Sequence, residues 1–422
     1  MDVIGEGVTL SPRSPARWYH GWNIVAVCII MQGAGLGVMA NCFSFFLEDW
    51  SATFRVPVST MVLAITLFSF PCAFLAPVAG WVVARFSVRR VMLLGMATVA
   101  AGYIAIGFTQ HAWQVIAVFV VVLPVGITFS SSITAQSLVS RWFVRRRGLA
   151  FSLSATGLVV AGVLYPPLVV ALNQALGWRW TWWLSGAFNL VVVCALILLV
   201  IRDRPRPDET AYGAGEQEHE QAPADAPELT LRDILSRRNF WIALAGYMPP
   251  LMANNAMSVN FAPFAANRGA SIAETAALLA TFSIAAAVGK LGCGMLADRY
   301  GDRIPLMLLG VSSALGLGIL LAADSFVPLA IGFVLLAFGQ GAWVMLASCI
   351  ASEFGARGFS RAYGVASFSS LIGTIPAPLV AWSAEVHHTY VPAVLTFAAG
   401  SCAAAGASLL FRDAPRFRRV RT

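Results

Sequence analysis

Apolar runs of about twenty residues recur along the whole of this 422-residue chain, each long enough to cross a hydrocarbon layer about 30 Å thick as a helix. Twelve are legible, at residues 20–47, 58–83, 88–108, 112–139, 148–173, 180–201, 240–266, 273–297, 304–322, 326–352, 360–384 and 390–411. Lipid offers no partner for backbone N–H and C=O groups, so runs of this length and number predict an all-α membrane protein with twelve transmembrane helices. The residue balance agrees. Hydrophobic residues make up 58% and charged residues only 11%, where a soluble domain carries about a quarter charged residues. The first run is too long for the apolar region of a cleaved signal peptide and is expected to remain as a helix.

Arginine placement sets the expected topology. With both termini cytoplasmic, only Arg55, Arg179 and Arg268 fall on the outer side, and every other arginine lies in a cytoplasmic segment. That one-sided split is the positive-inside pattern, so the net charge of +8 is topological and not a nucleic-acid footprint. Trp178, Trp180, Trp182 and Trp183 are placed as an aromatic belt would be. The seven cysteines fall inside the apolar runs with no Cys-x-x-Cys pair, and so read as small packing residues rather than a disulfide or metal framework.

The longest polar interruption separates six runs from six. The expected organisation is an N-terminal six-helix half at 1–201, a cytoplasmic linker at 202–239 and a C-terminal six-helix half with a short basic tail at 240–422. The linker centre, Gly213 to Glu220, is acidic and rich in Ala and Gly, as flexible segments are. The halves repeat at one place in particular. Gly80-Trp81-Val82-Val83-Ala84-Arg85-Phe86-Ser87-Val88-Arg89-Arg90 follows the second run, and Gly294-Met295-Leu296-Ala297-Asp298-Arg299-Tyr300-Gly301-Asp302-Arg303 follows the eighth.

The second of these segments resembles the Gly-x-x-x-Asp-Arg-x-Gly-x-Arg loop of the major facilitator superfamily, and the first is a weaker copy. Arg17-Trp18-Tyr19-His20-Gly21-Trp22 and Arg141-Trp142-Phe143-Val144-Arg145-Arg146-Arg147-Gly148-Leu149-Ala150 resemble the monocarboxylate-transporter branch, which includes the oxalate/formate antiporter. The resemblance implies a two-halved transporter whose charged loops act as latches, because a contact formed in one state only biases the equilibrium between states. The gating residues so implied are Gly80, Arg85, Arg89, Arg90, Arg145, Arg146, Gly294, Asp298, Arg299 and Arg303. In the first copy the acid is replaced by Ala84 and the glycine by Ser87, leaving its arginines with no acidic partner in their own loop.

Lys290 is the one lysine among 28 basic residues, and it lies inside the eighth run. A charge at membrane depth costs at least about 2.5–3.5 kcal/mol and marks a substrate or ion pathway by default. Lys290 lies eight positions before Asp298, about 12 Å along a helix axis, which is further than a lysine stem reaches toward the surface. Ser283, Ala286, Ala287, Lys290, Cys293, Gly294 and Ala297 share one helical face, and Ile284, Val288, Leu291 and Met295 the other. Small residues belong against neighbouring helices, so Lys290 is expected to point into the bundle.

By resemblance, the family has a carboxylate-binding arginine at this position. Lysine keeps the charge, loses the planar two-point grip and adds a removable proton. Desolvation favours the neutral amine and a bound anion favours the ammonium, so Lys290 is expected to carry the coupled proton as well. Asn41, Asn254, Asn255, Gln340, Trp343 and Ser370 are the further substrate-binding candidates. Ser370 stands where the oxalate/formate antiporter has a second cation, which favours a monoanion over a dianion.

The expected function is secondary active transport of a small organic monoanion with a proton, across a bacterial inner membrane or plasma membrane. No cofactor, metal or nucleic acid is expected, a monomer is, and no catalytic constellation marks an enzyme. Anion exchange without a proton, and proton-driven efflux of neutral or amphipathic compounds, remain open alternatives.

Overall fold

A computed structural model describes residues 19–204, 230–387 and 389–412. The expected linker centre, most of the arginine-rich tail, and Arg17 and Trp18 lie outside the described residues. Every element among those described is helical. The long ones are numbered here as α1 (His20–Cys42, prolonged by Phe43–Phe46 and Leu47–Phe54), α2 (Val58–Arg85), α3 (Val88–Gly107), α4 (Ala112–Trp142), α5 (Arg147–Leu176) and α6 (Trp178–Val200). The second half runs through α7 (Arg238–Val259), α8 (Ile272–Tyr300), α9 (Arg303–Ala322), α10 (Phe326–Ala356), α11 (357–387) and α12 (Val391–Ser408).

Ten of these are long and apolar enough to cross a membrane; α7 and α11 fall outside that set. The reason is local chemistry. Pro249, Pro250, Asn254 and Asn255 sit inside α7, and α11 is divided into pieces ending at Ser367, Thr374 and His387. Helix ends follow ordinary rules. The Ser271 hydroxyl accepts the Glu274 N–H while Glu274 Oε2 accepts the Ser271 N–H, a capping box that opens α8. Gly355, at φ 63°, turns the chain from α10 into α11, and φ there is one that glycine adopts without a Cβ penalty. Several helices are interrupted within the bundle, among them α4 at Ser131 and α10 at the 3₁₀ segment Phe338–Gly341.

The halves meet along two seams built the same way. A Cβ on Gly80 of α2 would stand 2.5 Å from the Ser360 carbonyl of α11, and one on Gly364 would stand 2.7 Å from the Ala76 carbonyl. In the other seam a Cβ on Gly148 of α5 would stand 2.3 Å from the Gly294 carbonyl of α8, and one on Gly294 would stand 2.0 Å from Ser152 Oγ. Backbone touches backbone because the side chains are absent, which is how helices associate when lipid removes the hydrophobic drive.

Both seams lie at the end of the bundle that carries the two motif loops, called here the loop face. Along α2, the positions in line with Gly80 pass from buried Ala76 and Ala73 to exposed Thr66 and Val62. Along α8 the same progression runs from buried Ala297 and Gly294, through half-buried Lys290, to exposed Ser283. Faces that touch the other half at one end are thus uncovered at the other. The bundle is closed at the loop face and open between its halves at the opposite face.

One expectation is corrected. Trp178 and Trp182 are not belt residues. Both are buried, and Trp182 stacks on Trp50 at 5.9 Å between ring centroids, with Phe46 and Tyr103 at 5.0 and 4.9 Å. The periodicity of a four-tryptophan cluster alternates between core and surface, and only Trp180 is strongly exposed, at 53%.

The seam geometry predicts a contrast between neighbours on α8. Gly294→Ala drives a methyl into Gly148 and Ser152, and is expected to cost about 1–3 kcal/mol and lower the apparent melting temperature. Gly292→Ala enters open space and is expected to leave that temperature unchanged or raise it. Thermal unfolding in detergent, followed for both variants, checks the pair.

Candidate anion site and loop-face gate

Lys290 lies ten positions before the end of α8 at Tyr300, about 15 Å from that end, and is half-buried. Ile284, Val288 and Met295 on the opposite side of α8 are 56–68% exposed, whereas Ala286 and Cys293 are buried. The lysine therefore belongs to the inward face, as the residue spacing predicts. Among the described residues its side-chain nitrogen has no carboxylate within salt-bridge distance and no hydrogen-bond acceptor. Its turn of helix is held on two sides. The Ser152 hydroxyl of α5 donates to the Lys290 carbonyl at 2.8 Å, and Phe338 and Gly341 of α10 pack on Gly289 and Cys293.

The remaining candidates are distributed around the interior. Gln340 lies in the 3₁₀ interruption of α10 and donates to Asn254 Oδ1, while Asn254 Nδ2 donates to the Leu336 carbonyl at 3.0 Å. Asn254 is fully buried, so both ends of its amide are engaged in joining α7 to α10 in this conformation. Asn255 is half-buried and donates to the Gly373 carbonyl at 3.2 Å, across to a break in α11. Asn41, also half-buried, donates to the Leu158 carbonyl of α5 at 3.3 Å. Trp343 is half-buried with its ring 6.0 Å from that of Tyr247, whose hydroxyl lies 2.6 Å from Ser369 Oγ. Ser370 is half-buried at the start of the next piece of α11.

Sequence reasoning did not single out Ser152, Ser369, Gln32 or Gln136. Gln32 of α1 donates to the Ser154 carbonyl at 2.7 Å, and buried Gln136 of α4 donates to Ser154 Oγ at 3.2 Å. The available signal was the polar stretch from Ser130 to Gln136 in an otherwise apolar run, at the point where α4 breaks.

At the loop face, Asp298 reaches across to the other half. Its Oδ1 accepts the Gly148 N–H at 2.8 Å and its Oδ2 accepts the Leu149 N–H at 2.9 Å, so the motif acid caps the start of α5. A carboxylate suits that place because the first N–H groups of a helix lack intrahelical acceptors. Arg147 adds a second crossing, donating to the Ala351 carbonyl of α10 at 3.3 Å. Arg145 and Arg146 are exposed, Arg146 in the left-handed region at φ 60°. The guanidinium of Arg299 lies over the Tyr300 ring at 5.2 Å, that of Arg85 over Trp81 at 5.5 Å, and Arg303 and Arg90 are exposed.

The first-half loop obtains an acid from elsewhere in the chain. Asp203, just beyond α6, accepts the Ser87 hydroxyl at 2.5 Å and the Arg89 N–H at 2.8 Å, which caps α3; the Arg89 side chain donates to the Leu198 carbonyl. The two aromatic motifs also meet. Tyr19 donates to the Trp142 carbonyl at 2.6 Å, and Trp22 packs edge-on against Phe143 at 4.9 Å. The Trp142 indole donates to the Arg202 carbonyl at 3.0 Å, so the start of α1, the α4–α5 loop and the exit from α6 form one fastened unit.

Two other concavities lie apart from Lys290's ammonium. One, of about 470 Å³, surrounds Arg268, whose guanidinium is engaged by Asp324 and by the Ala323 and Leu321 carbonyls. The other, of about 250 Å³, is an apolar groove between α8, α9 and α10.

The Major Facilitator Superfamily model matches residues 24–262 and again residues 247–422. The chain belongs to the major facilitator superfamily. Within this family it is 28% identical over 221 residues to the MFS transporter asaE of Aspergillus flavus, a match that covers 52% of this chain and 47% of that relative, about half its length. It is 25% identical over 373 residues to human Monocarboxylate transporter 11, covering 84% of this chain and 71% of the relative. To mouse Monocarboxylate transporter 12 it is 23% identical over 413 residues, covering 92% and 84%. Like these transporters, it is a multi-pass membrane protein.

The loop-face geometry predicts the effect of removing the motif acid. Asp298→Ala leaves two helix-terminal N–H groups without their charged acceptor, each such bond contributing about 1.5–3 kcal/mol. Amide exchange across residues 147–154 is expected to accelerate at least about tenfold, as read by hydrogen–deuterium exchange mass spectrometry.

Proposed function

We propose that this transporter carries a small organic monoanion, a monocarboxylate, together with a proton, by alternating access between its two halves. The observation that carries the reading is the side-chain nitrogen of Lys290, without a carboxylate or acceptor among the described residues, half-buried on the inward face of α8 and below the open end of the bundle. An isolated cation in that place is costly, and an anion entering from the open face relieves the cost. Relatives named monocarboxylate transporters support the substrate class.

In this reading all twelve helices cross the bilayer and both termini are cytoplasmic, which makes the loop face the cytoplasmic one and the described state outward-open. The membrane is a bacterial inner membrane and the protein works as a monomer. The carboxylate pairs with Lys290, and the rest of the substrate meets Trp343, Gln340, Asn41, Asn255 and Ser370, with Asn254 bracing Gln340. One cation matches one carboxylate, so dianions are poor substrates. The ammonium forms with the incoming anion and returns its proton after the anion leaves, so anion and proton move together. Opening at the loop face separates Asp298 from α5, and Arg145, Arg146, Arg299 and Arg303 face the cytoplasm there.

Uptake into proteoliposomes tests this with acetate, lactate, pyruvate, benzoate and oxalate, with and without an inward proton gradient. Monocarboxylate uptake driven by the gradient, weak oxalate uptake, and loss of both in Lys290→Ala are expected. Lys290→Arg should retain anion binding while uptake loses its dependence on pH. Gradient-driven uptake that persists unchanged in Lys290→Arg would remove the proton from Lys290, and uptake that persists in Lys290→Ala would remove the anion.

A further inference from the structure

Ser152 occupies the point where the closed gate and the level of Lys290 meet. It is fully buried on α5, and its hydroxyl lies 2.8 Å from the Lys290 carbonyl and 3.0 Å from the Gly148 carbonyl. Together with the Gly148 and Leu149 N–H groups on Asp298, it fastens the first turns of α5 to α8 from Asp298 up to Lys290. The corresponding seam between α2 and α11 has Ala84 where α8 has Asp298, and Gly364 where α5 has Ser152. Neither replacement has a side chain that donates or accepts.

We propose that Ser152 is a positioning residue that ties the turn of α8 bearing Lys290 to α5 while the loop face is closed, so that the anion site and the gate move together. The proposal rests on the reading of Lys290 as the anion site. Separation of α5 from α8 breaks the bond to the Lys290 carbonyl, but the hydroxyl keeps the Gly148 carbonyl within its own helix. The fastener therefore releases without leaving a buried donor unsatisfied, which keeps the cost of opening near that of one exchanged hydrogen bond. A contact made in one state and replaced in the other biases the equilibrium by its net contribution and transmits a displacement of the Lys290 turn to the gate.

The test uses the full chain in lipid nanodiscs with encoded spin labels at Val144 and Tyr300, two exposed loop-face positions, one in each half. Pulsed dipolar spectroscopy reads the ratio of separated to closed loop faces, first without ligand and then with whichever acid of the uptake panel shifts that ratio most. Ser152→Ala is expected to raise the ligand-free ratio about fivefold, the factor that one hydrogen bond of about 1 kcal/mol supports, and to flatten the response to the acid. Ser152→Cys, a weaker donor of similar size, is expected to fall between the two, which a simple packing defect would not produce. An unchanged ligand-free ratio in Ser152→Ala overturns the proposal, and so does a raised ratio with the full response to acid, because Ser152 would then serve the gate alone. Lys290→Ala is the separate control. A normal response to acid in that variant overturns the anion-site reading, while the ligand-free ratios still decide the role of Ser152.

Discussion

One basic side chain, the Lys290 amine with no carboxylate partner among the described residues, sets the main constraint on this molecule. A membrane-spanning bundle satisfies its backbone internally and presents aliphatic side chains to lipid, so most of the chain obeys one rule repeated along its length. Lys290 departs from it. Carboxylates within reach would neutralise the site permanently, and exposure to lipid would make the charge intolerable. The fold does neither: the lysine sits on the inward face of α8, below the uncovered end of the bundle, where an anion supplied from outside the protein can pair with it. Other polar groups of the interior are committed to one another, Gln340 with Asn254 and Tyr247 with Ser369.

The seams explain how such a site can be open to one side only. Both depend on glycines that let helix backbones touch, a contact with little side-chain volume to reorganise when the halves part. They differ in their polar fasteners. The α5–α8 seam adds Asp298 on two helix-terminal N–H groups and Ser152 on the Lys290 carbonyl, whereas the positions equivalent to Asp298 and Ser152 in the α2–α11 seam are Ala84 and Gly364. The contacts of Asp298 and the Lys290 carbonyl with α5 are thus on the helix that carries Lys290.

Much of this was legible in the residues. Spacing alone placed Ala286, Cys293, Gly294 and Ala297 inward and Ile284, Val288 and Met295 outward, because a helix converts sequence spacing into facing directly. The repeated loop marked the end of the bundle at which the two seams lie. Partners more than a hundred residues apart were not legible. Asp298 pairs with main-chain N–H groups of Gly148 and Leu149, atoms every residue owns, and Asp203 supplies the acid missing beside Ser87 from outside that loop. Trp178 and Trp182 were misassigned to the surface because tryptophan serves belt and core alike, and only tertiary packing around Trp50 separates them. The interruptions at Ser131 and Phe338–Gly341 are marked locally only by a serine run and by Gly339 and Gly341, residues that also occur inside unbroken membrane helices.

The central claim is that one side chain holds both the anion and the proton. Proton uptake during binding measures it directly: an acid that binds the purified protein is titrated calorimetrically in buffers of different ionisation enthalpy, which separates proton transfer from binding heat. The account predicts net proton uptake by the wild type on anion binding, rising with pH as more of the amine starts neutral, and none in Lys290→Arg although that variant still binds. Equal uptake in the two proteins would contradict it.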